Sequence, residues 1–198
     1  DVCSSDLVFC GLDEELIKDG VNLVVKKTVE KELEELNLIK IDGMNTTFDD
    51  IFNACETMPF MSEKKVVIIY RANFLQEKSD SSGTKIYNEI KKYIEDLPPY
   101  TILIMYYLFK DKRDKPNKNK KLTQLGKNLS VVFCDKLKRD RYIKKVNEVF
   151  KERDKGIGRT ELSYFCEKVQ NNFDIIKREV DKLISYTDGR EIKKNDID

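Results

Sequence analysis

Lys65-Val66-Val67-Ile68-Ile69-Tyr70 decides the fold. Its centre is β-branched and apolar without polar alternation, the pattern of a strand covered on both faces, and such strands belong to parallel sheets flanked by helices. On either side of it, Val8-Phe9-Cys10 before Gly11, Leu38-Ile39-Lys40-Ile41, Thr101 to Leu108 and Val131-Val132-Phe133-Cys134 read as further strands. Between them the apolar residues recur at helical spacing. Leu16, Ile17, Val21, Val24, Val25 and Val29 predict a helix to about Glu30, with Gly20 a weak spot in it. Thr46-x-x-Asp49 predicts a capping box that opens a helix over Phe48 to Glu56. Residues 78–84 read as a polar loop, followed by a helix from about Lys85 to Glu95 that stops before Pro98-Pro99, and a basic helix lies near Lys118 to Lys127. Strand and helix alternate to about residue 135, which predicts a parallel α/β domain.

From there the pattern turns purely helical, at about 137–152, 158–168 and 171–187, with Thr187-Asp188-Gly189 closing the last and a short helix entering at Ile192 to Ile197. The expected organisation is an α/β domain over 8–135 and a small all-helical domain over 136–198.

The composition excludes several chemistries. The 198 residues contain 37 basic against 36 acidic side chains and no histidine, so Ser-His-Asp, Cys-His and two-histidine zinc sites are all ruled out. A net charge of +1 argues against bulk polyanion binding, though not against local patches. No apolar run approaches the roughly 18 residues of a membrane span. The five cysteines are odd in number and lack Cys-x-x-Cys spacing, which points to a reducing cytoplasm, with Cys10, Cys55 and Cys134 as small core residues. No catalytic group, metal site or cofactor site emerges. The opening Asp1-Val2-Cys3-Ser4-Ser5-Asp6-Leu7 matches the in-frame translation of a common sequencing-library adapter, so no structural weight is expected of those seven residues.

A parallel α/β domain followed by a helical lid is the layout of AAA+ nucleotide-switch modules. An active module carries G-x-x-x-x-G-K-[ST] after its first strand, because backbone amides and a lysine must wrap the phosphates. Here that position reads Gly11-Leu12-Asp13-Glu14-Glu15-Leu16-Ile17-Lys18-Asp19. The lysine and hydroxyl are absent in register and three acids would repel a triphosphate. Arg71, rather than paired acids, follows Val66 to Tyr70. This reads as a degenerate nucleotide-switch fold or as an unrelated α/β fold that never had the site.

Two stretches stand out as sites. Met58-Pro59-Phe60-Met61 sets large apolar side chains around a proline just before Ser62-Glu63-Lys64-Lys65, so it is either a helix end folded into the core or an exposed wedge. Lys110, Lys112, Arg113, Lys118, Lys120 and Lys121 make a local positive excess. That run is either a solvated surface or a weak, salt-sensitive contact to nucleic-acid phosphates.

Several segments in order carry a resemblance: Val8 to Asp13, Ile39 to Gly43, Glu56 to Ile69 including Met58-Pro59-Phe60-Met61, Asp96-Leu97-Pro98-Pro99 before Thr101 to Ile104, Lys110 to Arg113, and Asn171 to Leu183. Together they are similar to the bacterial DNA polymerase III delta subunit family over nearly all of 8–198. The resemblance implies a degenerate AAA+ domain, a helical lid, and a carboxy-terminal collar that lies outside this sequence. It also implies a non-catalytic clamp-loader subunit of the polymerase holoenzyme that inserts the element at Met58-Pro59-Phe60-Met61 into the beta sliding clamp and favours an opened ring. Many family members have Phe-Phe or Leu-Phe where Phe60-Met61 stands. The implied partners are the clamp, the ATP-binding gamma/tau subunits, delta prime, and primer-template DNA within the loader. The rival readings are a nucleic-acid-binding module built on 110–121 and an active AAA+ ATPase.

Overall fold

The computed structural model describes residues 6–135, 139–169 and 173–198. They fall into two compact units, one ending at Asp135 and one comprising the remainder.

In the first unit the strands are β1 (Leu7–Gly11), β2 (Leu38–Asp42), β3 (Lys65–Tyr70), β4 (Thr101–Leu108) and β5 (Ser130–Cys134). They form one sheet in the order β2-β3-β4-β1-β5, every pairing parallel. The helices are α1 (Glu14–Thr28), α2 (Glu34–Asn37), α3 (Phe48–Glu56), α4 (Ser81–Tyr93) and α5 (Lys120–Leu125).

Side chains alternate along each strand, and in β1, β3 and β4 both sets are buried. Val8, Cys10, Val67, Ile69, Leu103 and Met105 pack with Ile51 and Cys55 of α3, Ile86, Tyr87, Ile90 and Tyr93 of α4, and Leu122 and Leu125 of α5. Phe9, Val66, Ile68, Ile102 and Ile104 pack with Ile17, Val21 and Val25 of α1. Covering on both faces is what the continuous apolar run of β3 demanded. Gly20 is a contact point rather than a weak spot, because a Cβ there would come within 2.6 Å of the Phe9 ring. Cys10, Cys55 and Cys134 are buried free thiols, and loss of hydration pushes them up to about 12, about 12 and about 11.

Several boundaries differ from the sequence reading. The capping box is Thr47 with Asp50, one residue later than Thr46 with Asp49: the Asp50 amide donates to Thr47 Oγ1 at 3.2 Å and the Thr47 amide to Asp50 Oδ2 at 2.9 Å. Both pairs have the required spacing, and the later one is used because a helix starting at Phe48 buries Ile51 and Cys55. The 78–84 stretch is not all loop. Asp80 accepts the Gly83 amide at 2.8 Å and starts α4 at Ser81, so a cap offsets the poor helix propensity of Ser-Ser-Gly-Thr. The basic helix is Lys120–Leu125: buried Asn119 caps its start and Gly126 closes its end.

Of the first seven residues, 1–5 lie outside the described ones. Asp6 and Leu7 carry structure: Leu7 pairs with Ile104 and Ser130, and Asp6 accepts the Leu103 amide at 2.9 Å. Backbone pairing asks only for extended main chain, and Leu7 adds an apolar side chain against the α1 face.

The second unit holds α6 (Arg139–Lys151), α7 (Arg159–Lys168), α8 (Phe173–Thr187) and α9 (Lys194–Ile197). α7 begins at Arg159 and α9 at Lys194, one and two residues after the expected 158 and 192, while the expected starts at 137 and 171 lie outside the described residues. Tyr142, Val146, Phe150, Leu162, Phe165, Ile176, Val180 and Leu183 make its core. Among the described residues no helix is long and apolar enough to cross a membrane, and no group of side chains could hold a metal ion.

Candidate functional site

All strands run the same way, so one edge of the sheet collects the loops after the strands and the opposite edge collects those before them. Met58 to Met61 lie in the segment before β3. The β1–α1 turn and the 110–121 segment lie beyond the carboxyl ends of β1 and β4.

The apolar segment begins where α3 ends. The last carbonyls of a helix have no partners within it and must find them elsewhere. Here each is met by a different group. Asn53 O accepts from the Thr57 amide at 3.2 Å and Thr57 Oγ1 at 2.8 Å. Cys55 O accepts from Thr101 Oγ1 at 2.7 Å and Glu56 O from the Tyr100 hydroxyl at 2.9 Å. Ala54 O and Thr57 O both accept from the ammonium of Lys65. Lys65 is 1% exposed, and burial pulls its pKa below the ordinary lysine value. The first residue of β3 thus fastens the end of α3, and both ends of the 57–64 loop are pinned.

Within the loop the main chain of Phe60 is held by Asn37 at the end of α2. Asn37 Nδ2 donates to Phe60 O at 2.9 Å, and the Phe60 amide donates to Asn37 Oδ1 at 2.7 Å. Met61 follows with φ +48°. The side chains point the other way: Met58 is 74% exposed, Phe60 53% and Met61 80%. The segment is therefore exposed rather than folded into the core.

The turn after β1 is organised differently. Gly11 has φ +153°, and a Cβ on it would overlap the Cys134 carbonyl. That carbonyl accepts the Leu12 amide at 3.0 Å and the Asp13 amide at 3.3 Å. Asp13 Oδ1 accepts the Leu16 amide at 3.0 Å, and Glu14 and Glu15 engage Lys18 at 3.2 and 3.3 Å. The amides that would cradle a phosphate are bonded to β5, and a carboxylate occupies the helix start. These residues do not fit a nucleotide. Arg71, at the place of a paired-acid signature, is paired with Asp42 and lies over the Tyr70 ring.

The basic segment is partly committed. Arg113 folds back on Asp111, donating to its two oxygens at 3.0 and 2.7 Å. Lys121 donates to Phe74 O at 2.8 Å and Ser79 Oγ at 2.6 Å. Lys110, Lys112, Lys118 and Lys120 are exposed. Lys110 and Lys118 join Lys78 and Lys115 around a cavity of about 190 Å³ that Glu77 and Asp114 also line. Of the six basic residues, Lys110 and Lys118 line this cavity, while Arg113 and Lys121 are bonded to groups of the chain itself.

The sequence matches the family described as DNA polymerase III, delta subunit, over residues 7–135, more than half of the chain. The chain belongs to that family. DNA polymerase III subunit delta of Bacillus subtilis strain 168 is 25% identical over 188 residues, which cover 93% of this chain and 53% of that protein. The chain thus spans about half the length of this curated relative. Among solved structures, the Bacillus subtilis DNA clamp loader delta protein aligns over 96% of this chain and 56% of its own, with TM-score 0.64 and 21% identity. The Holliday junction branch migration motor RuvB of Thermotoga maritima aligns over 97% of this chain and 59% of its own, with TM-score 0.59 and 10% identity. The fold of this delta-family chain is accordingly AAA+-like.

Sequence reading missed both residues that hold the loop. Lys65 was the first letter of an apolar strand, and only its type, a lysine leading a run buried on both faces, signalled a second role. Asn37 carried no local signal, since its bonds reach 23 positions along the chain.

Proposed function

We propose that this delta-family chain is a non-catalytic clamp-loader component whose Met58-Pro59-Phe60-Met61 tip docks on the beta sliding clamp. The single observation that carries the proposal is the exposure of three large apolar side chains on a loop whose backbone is pinned at both ends and in the middle. Exposed apolar groups held so firmly are best explained by a partner pocket. Transferring Phe60 and Met61 into such a pocket is worth roughly 1.5–3 kcal/mol each. Binding of that strength given only to an opened or strained ring shifts the ring population towards open.

The β1–α1 turn supports a chain that neither binds nor hydrolyses ATP, leaving that work to the gamma/tau subunits, with delta prime completing the loader in the cytoplasm. A weaker contact to primer-template phosphates is supported by exposed Lys110, Lys112, Lys118 and Lys120; Arg113 and Lys121 contribute less because each already has an internal partner.

Titration of the chain against its cognate clamp tests the docking reading. Phe60→Ala/Met61→Ala should weaken binding by about 100-fold or more, from the burial figures above. Equal binding by the parent and the variant would remove the tip from the interface.

A further inference from the structure

We infer that Asn37 is the positioning residue of the tip, latching the Phe60 main chain so that the apolar side chains meet their partner already ordered. The inference rests on the docking reading.

Asn37 is fully buried, and a buried carboxamide is costly unless both its donor and its acceptor are used. Both are used on one residue. The 2.9 Å bond to Phe60 O and the 2.7 Å bond from Phe60 N fix the amide orientation, because the flipped carboxamide would set donor against donor and oxygen against oxygen. Two opposed bonds to a single residue hold its main chain in translation and in rotation, as one rung of a β ladder does.

What is fixed in this way is a residue whose side chain stays half in solvent. A core needs no such arrangement, and an apolar residue at position 37 would bury as well without any polar partner. The latch also acts where nothing else described does. Lys65 fastens the start of the loop through Thr57 O, Ser62 Oγ bonds Lys64 O at its end, and Asn37 alone is bonded to the stretch that carries Phe60. Met58 and Met61 have long, rotatable side chains, so order in the main chain between them sets how much freedom is lost on docking.

Two measurements test the latch together. Amide hydrogen exchange of the parent chain should find the Phe60 N–H protected well beyond its neighbours in the loop. In a double-mutant cycle on clamp affinity, Asn37→Ala should weaken binding about tenfold in the parent, the cost of ordering a few side chains, and have a much smaller effect when Phe60→Ala/Met61→Ala is already present, since little then remains for the ordered main chain to present. A Phe60 amide exchanging as fast as its exposed neighbours overturns the latch whatever the clamp does, and needs no variant to fold. An Asn37→Ala loss of equal size in both backgrounds overturns positioning, because the residue then acts through general stability. If Phe60→Ala/Met61→Ala itself leaves clamp binding intact, the docking reading has failed, and the exchange result still decides whether the latch exists.

Discussion

The two edges of the sheet treat their polar groups in opposite ways. At the carboxyl edge, where α/β proteins usually meet ligands, backbone amides and charges are spent on one another: Leu12 and Asp13 on the Cys134 carbonyl, Asp13 on α1, Arg71 on Asp42, Lys121 on Phe74 and Ser79. At the amino edge, Asn37, Lys65, Tyr100 and Thr101 are spent on holding a loop whose apolar side chains remain outside. The same architecture can therefore close one end and arm the other. Hydrogen bonds that look equally structural have different consequences, according to whether they hide a side chain or present one.

The largest expected effect on this contrast comes from Gly11→Ala. The new methyl would overlap the Cys134 carbonyl, forcing β1 and β5 apart where Leu12 and Asp13 also bond. Thermal or denaturant unfolding should register a loss of about 3–5 kcal/mol, the range of severe backbone clashes. Retained stability would mean that the closed carboxyl edge can relax open. Lys65→Met acts on the other edge and removes the donor shared by Ala54 O and Thr57 O. It should cost about 2–4 kcal/mol through unpaired buried carbonyls, and clamp affinity should fall with it. A stable Lys65→Met variant with full affinity would show that the end of α3 does not set the tip. The smallest effect is a null one. Magnesium-ATP at millimolar concentration should leave the melting temperature unchanged, since a ligand that binds only the folded state must raise it. A clear rise would reopen the β1–α1 turn as a nucleotide site.

Much of the sheet was legible because its signal is local. Val66 to Ile69 and Thr101 to Met105 announce burial on both faces by composition alone, and the strand-helix alternation then orders the chain. Helix starts were less legible. Thr46 with Asp49 and Thr47 with Asp50 satisfy the same spacing rule, and only packing of Ile51 and Cys55 selects between them. Asp80 capping Gly83 was hidden inside a stretch with every mark of a loop. The tip was legible as residues but not as a conformation. Nothing in Met58 to Met61 tells a core plug from a wedge, because the decision lies with Asn37 and Lys65, and with Tyr100 and Thr101 further along the chain. In the basic run the sequence counts charge, whereas the Asp111 partner of Arg113 and the Phe74 carbonyl under Lys121 appear only when the chain is folded.

The proposed docking places the clamp against residues 57–64, at the amino edge of the sheet. Hydrogen-deuterium exchange, followed with and without saturating clamp, reports on both edges at once. New protection is expected to concentrate in residues 57–64, with none in 11–19 or 109–121. Protection at the carboxyl edge with an unchanged 57–64 loop would contradict it.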